Sequence, residues 1–243
     1  MTAGWEIPPK GAGVYARHIS LAKHGTPDAM AARCVRNGVT WVALEGLWHG
    51  NDKVWTPGSH VLKARGAALR EAGVRVWVWG YPHAGHEHED LRKLREAALL
   101  AGADGILLDP ELSYKLHPEY GSKLVSESLD ALDESLGIGV TSYGAMRAHS
   151  EFPWRELSGL GFGSPQLYSA NRRQFKAHMA DWQMRWHTVI PSIAAYGTAR
   201  VTLRERFKHL EAGGFDRCII WSWRQIHGAE WGDIKRWSEK VRT

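Results

Sequence analysis

The sequence predicts an α/β protein, a single (β/α)8 TIM barrel spanning residues 1–243. Three observations predict it. Short runs rich in Val, Ile and aromatic residues alternate with longer helical runs that close on glycine, the pattern of a parallel sheet with crossover helices. The alternation repeats eight times at about 30 residues a cycle, which matches the roughly 250 residues of such a barrel. The first strand is followed by His18-Ile19-Ser20-Leu21, not by the Gly-rich turn that opens a doubly wound sheet.

Each unit follows in order along the chain. Gly13 to Ile19 is the first strand, and Pro27 to Arg36 is a helix stopped by Asn37-Gly38. Val39 to Glu45 is the second strand, followed by a long loop carrying Trp48 and Trp55; the helix His60 to Glu71 ends at Gly73. Val74 to Gly80 is the third strand, before the helix Glu87 to Ala101. Gly105 to Glu111 and the helix Ser122 to Leu136 form the fourth unit. Gly137 to Tyr143 is the fifth strand, with a short helical turn at Pro153 to Leu157. Gly163 to Tyr168, then Arg172 to Trp186, form the sixth unit. Val189 to Tyr196 and the helix Thr202 to Ala212 form the seventh. Arg217 to Trp223 and the closing helix Glu230 to Val241 form the eighth. No linker or second domain interrupts them.

Composition narrows the function classes. Hydrophobic residues make up 44% and charged residues 23%, a globular balance that excludes disorder and collagen-like repeats. No apolar run approaches the roughly 20 residues of a membrane-spanning helix. Cys34 and Cys218 cannot make a disulfide framework and are expected as buried thiols, and no zinc-ligand spacing is present. The net charge of +5, from 31 Lys and Arg against 26 Asp and Glu, is spread along the chain with no nucleic-acid motif beside it, which makes it a solvated surface. Neither a cofactor nor a metal is expected. The His83, His86 and His88 loop, with Glu87, Glu89 and Asp90, is better explained by acidic residues opening a helix. The N-terminal residues lack a basic then apolar leader, so synthesis in the cytoplasm is expected, with release by lysis or on a particle.

In a (β/α)8 barrel, function sits at the C-terminal ends of the strands. Asp109-Pro110-Glu111 is the most informative of these ends. Side chains alternate along a strand, so Asp109 and Glu111 share the face that looks into the mouth. Two neighbouring carboxylates raise the pKa of one of them, which suits a general acid; the alternative is a pair neutralised by Arg17 or Arg224. Glu45, on the inner face of the second strand, is the third acid. Strands two apart lie roughly 10 Å from one another, so Glu45 and Glu111 could stand at either glycosidase separation, or Glu45 could pair with an arginine. Around these acids the strand ends carry Trp79, Tyr81, Gln166, Tyr168, Tyr196, Trp221, Trp223 and Arg224. Aromatic faces with polar edges match sugar rings, so these residues are the expected substrate platform. The 13 tryptophans thus divide: Trp41, Trp77, Trp182 and Trp237 belong to strand and helix interiors, the others to the mouth.

The chain resembles the family 25 glycoside hydrolase lysozymes in barrel size, in the D-x-E of Leu107-Leu108-Asp109-Pro110-Glu111, and in the aromatic end Pro165-Gln166-Leu167-Tyr168. The resemblance implies Glu111 as acid and Asp109 as the carboxylate assisting an oxazolinium route through the substrate's N-acetyl group. The family's first-strand Asp is missing from Val14-Tyr15-Ala16-Arg17-His18, and Gln166, Tyr196 and Arg224 stand where a late acid is expected. The expected function is therefore a glycosidase cleaving a peptidoglycan-type cell-wall polysaccharide, of phage or prophage origin, with Glu45 as reserve base. The alternative is a non-catalytic carbohydrate-binding or structural barrel of a phage tail or cell-surface assembly. A sugar-phosphate or amidohydrolase barrel ranks low, because it lacks the phosphate-cradling loop and an H-x-H on the first strand.

Overall fold

The computed structural model describes residues 6–19, 24–50, 53–131, 135–196 and 201–243. Positions 132–134 of the expected helix Ser122–Leu136, and the side chain of Trp55, lie outside them. The strands are β1 (Gly11–Ala16), β2 (Val39–Gly50), β3 (Lys53–Trp55), β4 (Arg75–Gly80), β5 (Gly105–Leu108), β6 (Gly137–Tyr143), β7 (Phe162–Gln166), β8 (Ser192–Ala194) and β9 (Arg217–Trp221). All but β3 pair in parallel, and β1 pairs with both β2 and β9, which closes an eight-stranded barrel. The helices are α1 (Pro27–Arg36), α2 (Ser59–Glu71), α3 (Glu87–Ala101), α4 (Leu112–Leu116), α5 (Gly121–Ala131), α6 (Trp154–Leu157), α7 (Arg172–Gln183), α8 (Leu203–Ala212) and α9 (Ala229–Arg242). Thr26 caps α1, and Asn171 and Thr202 close capping boxes on α7 and α8, satisfying backbone N–H groups that have no helical partner.

Alternation along the strands makes two cores. Outward residues such as Val42, Leu44, Val76, Val78, Ile106, Leu108 and Ile220 pack with Met30, Leu62, Leu69, Leu91 and Leu94 of the helices. Cys34 and Cys218 lie buried and unpaired in this layer, where burial pushes both thiols up. Inward residues Tyr15, Trp41, Ala43, Trp77, Trp79, Leu107, Phe162, Ile190 and Ile219 fill the barrel. Its fixed bore admits such large rings only where a neighbouring strand supplies no side chain. Gly13 faces the Trp41 ring and Gly139 that of Phe162, each too close for a Cβ. On Gly105 and Gly137 a Cβ would come within 2.5 and 2.6 Å of the Trp77 ring.

Six strand ends depart from expectation. Two simply stop early, β1 at Ala16 and β7 at Gln166. β2 runs past Glu45, with a register shift before Leu47, to pair antiparallel with β3, so a hairpin stands where a loop was expected. β5 stops at Leu108: Pro110 offers no N–H to a ladder, and Glu111 caps α4, a helix the periodicity did not reveal. The seventh barrel strand is only Ser192–Ala194 plus a bridge from Gly163 to Val189, because Pro191 interrupts the pairing. β9 ends at Trp221, and residues 223–225 turn away as a 3-10 helix.

The glycine–indole complementarity has a direct test. Gly13→Ala should lower stability by about 1–3 kcal/mol, and combining it with Trp41→Leu should cost less than the sum of the two single changes, measured by thermal unfolding. Additive losses would show that the ring and the glycine do not share one space.

Candidate active site

The strand ends converge on two carboxyl groups held by one amide. Gln166, the last residue of β7, donates from Nε2 to Asp109 Oδ1 at 2.9 Å and to Glu111 Oε1 at 2.8 Å. The two carboxyls are close enough for the charge of Glu111 to act on Asp109. Their segment is pinned at both sides: Asp109 N–H donates to the Gly80 carbonyl at 2.8 Å, and Ser142 Oγ donates to the Pro110 carbonyl at 2.7 Å. Asp109 is buried and Glu111 half-buried. Burial, then the Glu111 charge, raises the Asp109 carboxyl well above its ordinary range; burial likewise raises Glu111. Two such groups hold protons as a pair, so the pair retains a proton at pH values where isolated carboxyls have lost theirs.

Glu45 has partners of its own at the end of β1. It is fully buried, and its Oε2 accepts the backbone N–H of His18 at 2.5 Å. Its Oε1 lies 3.8 Å from Arg17 Nε, and its Oε2 lies 3.5 Å from His18 Nδ1. His18 stands at φ 50°, a left-handed conformation uncommon outside glycine, and this turn is what brings its N–H to Glu45. The carboxylate therefore ties the end of β1 to β2. It also holds Arg17, whose guanidinium sits 4.0 Å over the Trp48 ring and whose charge opposes the rise at Asp109. The expected neutralising arginine is present, but it faces Glu45. Arg224 is exposed on the 223–225 turn and makes no ion pair with a described residue.

The aromatic residues separate into floor, wall and back. Trp79 is fully buried beneath the mouth, with Tyr15 edge-on at 5.6 Å and Trp221 at 5.5 Å. Trp221 is half-exposed and stacks with Tyr168 at 6.2 Å; Tyr168 in turn lies 6.5 Å from Tyr196. Trp48 and Tyr81 face each other at 5.3 Å on the opposite side. Arg206 fixes the wall by donating to the carbonyls of Tyr168, Ala194 and Tyr196. Trp223, expected on the sugar platform, faces away: it is buried in the outer core against His24 and Trp231, because β9 has already ended and the alternation is lost. The His83 loop serves the start of α3. Asp90 accepts His83 N–H, while Glu87 accepts Gly85 N–H and pairs with Lys123. Among the described residues no group of His, Cys, Asp or Glu is arranged to hold a metal.

One feature of the site has no simple motif in the sequence. Tyr15, under Asp109, is surrounded by the hydroxyls of Thr141, Ser164 and Ser192; their signal is a polar residue at an inward position on three successive strands. Tyr143, at the end of the fifth strand as the sequence places it, lies beside Glu111. Burial and the carboxyl charges push Tyr81 up to about 12, and raise Tyr143 and Tyr168 as well, so these phenols remain hydrogen-bond donors.

No family model matches the chain, and no curated protein matches it. Solved structures do match its fold. A chitinase from Bacteroides thetaiotaomicron superposes with a TM-score of 0.72 at 8% identity, over 94% of this chain and 96% of that one. The Bacillus cereus spore cortex-lytic enzyme SleL gives 0.67 at 8%, over 94% and 74%. A sugar phosphate isomerase/epimerase from Parabacteroides distasonis gives 0.61 at 10%, over 96% of each. At these identities the likeness is one of fold: a (β/α)8 barrel shared with glycoside hydrolases and with sugar isomerases.

The raised carboxyls set a pH dependence. Between the ordinary carboxylate range and the raised values the folded protein holds more protons than the unfolded chain, so this pair's contribution to stability falls as pH rises through that window. The fall approaches about 1.4 kcal/mol per pH unit for each proton retained. Asp109→Asn should flatten the slope and raise the neutral-pH melting temperature, measured across pH 4 to 8 by thermal unfolding. The wild-type slope persisting in the variant would show that the pair is not its source.

Proposed function

We propose that the protein is a glycoside hydrolase acting on a polysaccharide of N-acetylated sugars, of the lysozyme-like peptidoglycan type, with Glu111 as general acid. The observation that carries this is the Gln166 amide bridging a buried and a half-buried carboxyl in an aromatic mouth. At rest the deeper Asp109 holds the pair's proton; as substrate binds, that proton passes to Glu111, the more exposed of the two, and leaves the negative charge on Asp109.

The geometry favours assistance by the substrate itself. Glu45 is engaged by His18 and Arg17, and it takes a structural role, with no second carboxylate acting as nucleophile or base. In the proposed reaction Glu111 gives its proton to the glycosidic oxygen as the C1–O bond breaks, and the acetamido oxygen of the same sugar bonds to C1. Asp109 stabilises the positive charge that develops on that ring and on the acetamido group. Water then adds at C1, passes its proton to the Glu111 carboxylate and displaces the acetamido oxygen. Tyr81, Tyr143 and Tyr168 donate hydrogen bonds throughout, and Trp221 offers a face to the sugar. The chitinase and cortex-lytic neighbours support a glycan substrate by fold alone.

Glu111→Gln should lower kcat on soluble peptidoglycan or chitin fragments by about 10²–10⁴-fold with a neutral-pH melting temperature no lower than the wild type's. Glu45→Gln should instead lower the melting temperature and loosen the Arg17 turn. Full activity in Glu111→Gln would remove the assignment. Glycan binding by the wild type without turnover would point to a carbohydrate-binding barrel instead.

A further inference from the structure

Beside the carboxyl pair lies a second hollow, on the far side of Gln166 between the ends of β6 and β7. It measures about 510 Å³ with its open mouth included and is lined by Tyr143, His149, Gln166, Ser169, Gln174 and His178, among others. Two of these residues belong to both sites. Gln166 donates to both carboxyls, and Tyr143 lies close enough to Glu111 to feel its charge. The hollow thus shares a wall with the reacting centre.

Its chemistry is specific. No lining residue is Asp, Glu, Lys or Arg, although the chain as a whole is basic. The His149 ring stacks on Tyr143 at 3.9 Å with 15° between planes, which makes a flat double platform. Trp154 Nε1 donates to the His149 carbonyl at 2.8 Å and holds the segment in place. His149 Nδ1 is buried without a hydrogen-bond partner among the described residues, a polar atom whose desolvation is uncompensated until something bonds it. Gln174 is held by the α7 capping box through Oε1, which leaves Nε2 outside that motif. Burial holds the His149 and His178 rings below the usual imidazole range, so each is a neutral donor and acceptor.

Taking the glycosidase function as its premise, we propose that this hollow is a subsite for an uncharged sugar unit adjoining the bond that Glu111 cleaves. His149, Gln174 and His178 are its hydroxyl-reading side chains and the Tyr143–His149 stack is its platform. An array of neutral donors and acceptors on an aromatic face suits a hexose or N-acetylhexosamine. It offers no cation to a uronate or phosphate. Substrate longer than one sugar would gain affinity here, while a single-sugar aryl glycoside would not.

The test follows the histidine ring resonances of the Glu111→Gln protein as N-acetylglucosamine oligomers are added, with His149→Ala and His178→Ala used for assignment. The His149 and His178 signals should shift, and oligomer affinity should weaken about 10-fold in His178→Ala or Gln174→Ala, the loss of one or two hydrogen bonds. In the wild-type background the same two changes should raise KM for a tetramer and leave an aryl glycoside unaffected. Cleavage of the tetramer with both ring signals unmoved, or with KM unchanged in the variants, would overturn the subsite alone. Ring shifts without any bond cleavage by the wild type would overturn the hydrolase function and leave a binding site. No binding of any oligomer would overturn both.

Discussion

The bore of an eight-stranded barrel is set by strand number and tilt, and everything at the mouth rests on how that bore is filled. Here three indoles, Trp41, Trp77 and Trp79, stand inside it. Trp41 fits because Gly13 on the adjacent strand presents only backbone to it, and Trp77 because Gly105 and Gly137 do the same. Rings this large leave no free volume below the strand ends. Trp79 therefore becomes a rigid floor, and Tyr15, Trp221 and Trp48 meet above it edge to face. The residues that follow on the same inward faces, Asp109, Glu45 and Gln166, are placed with little freedom to move.

On that floor, two carboxyls emerging from neighbouring turns of the same segment meet opposite fates from a third. Asp109 and Glu111 have one amide as a shared partner, and burial makes ionisation of both unfavourable. Glu45, equally buried, has a backbone N–H and a guanidinium. The difference lies in the local backbone: the left-handed turn at His18 delivers a donor to Glu45, whereas the Pro110 segment is held by carbonyl and amide contacts that leave its carboxyls unneutralised. Glu45 is thereby tied to the end of β1, while burial holds the Asp109 and Glu111 carboxyls above their ordinary range.

Much of this was legible in the sequence. Gly-terminated helical runs and β-rich runs placed all eight units, because each boundary carries its own stop signal. Alternation placed Asp109 and Glu45 on the inner face. Alternation failed where the strand had already ended. Trp223 follows β9 by two residues and turns into the outer core, and Glu111 reaches the mouth as the cap of α4, not as part of a strand. The bridging role of Gln166 could not be read, since it depends on its amide reaching past β6 to the β5 end, a distance that no local pattern encodes. The same holds for the hydroxyls of Thr141, Ser164 and Ser192 around Tyr15. Glu45 was ambiguous because choosing between a base and an ion-pair partner requires the backbone angle at His18.

The central claim is that Asp109 and Glu111 share a proton where isolated carboxyls would be ionised. Carbon-13 NMR titration of the labelled carboxyl groups measures this directly, in the wild type and in Glu111→Gln. The account predicts coupled titrations in the wild type, with at least one step well above the ordinary carboxyl range of about 4, and a downward move of Asp109 when the Glu111 charge is removed. Two independent titrations near 4, unchanged by the substitution, would contradict it.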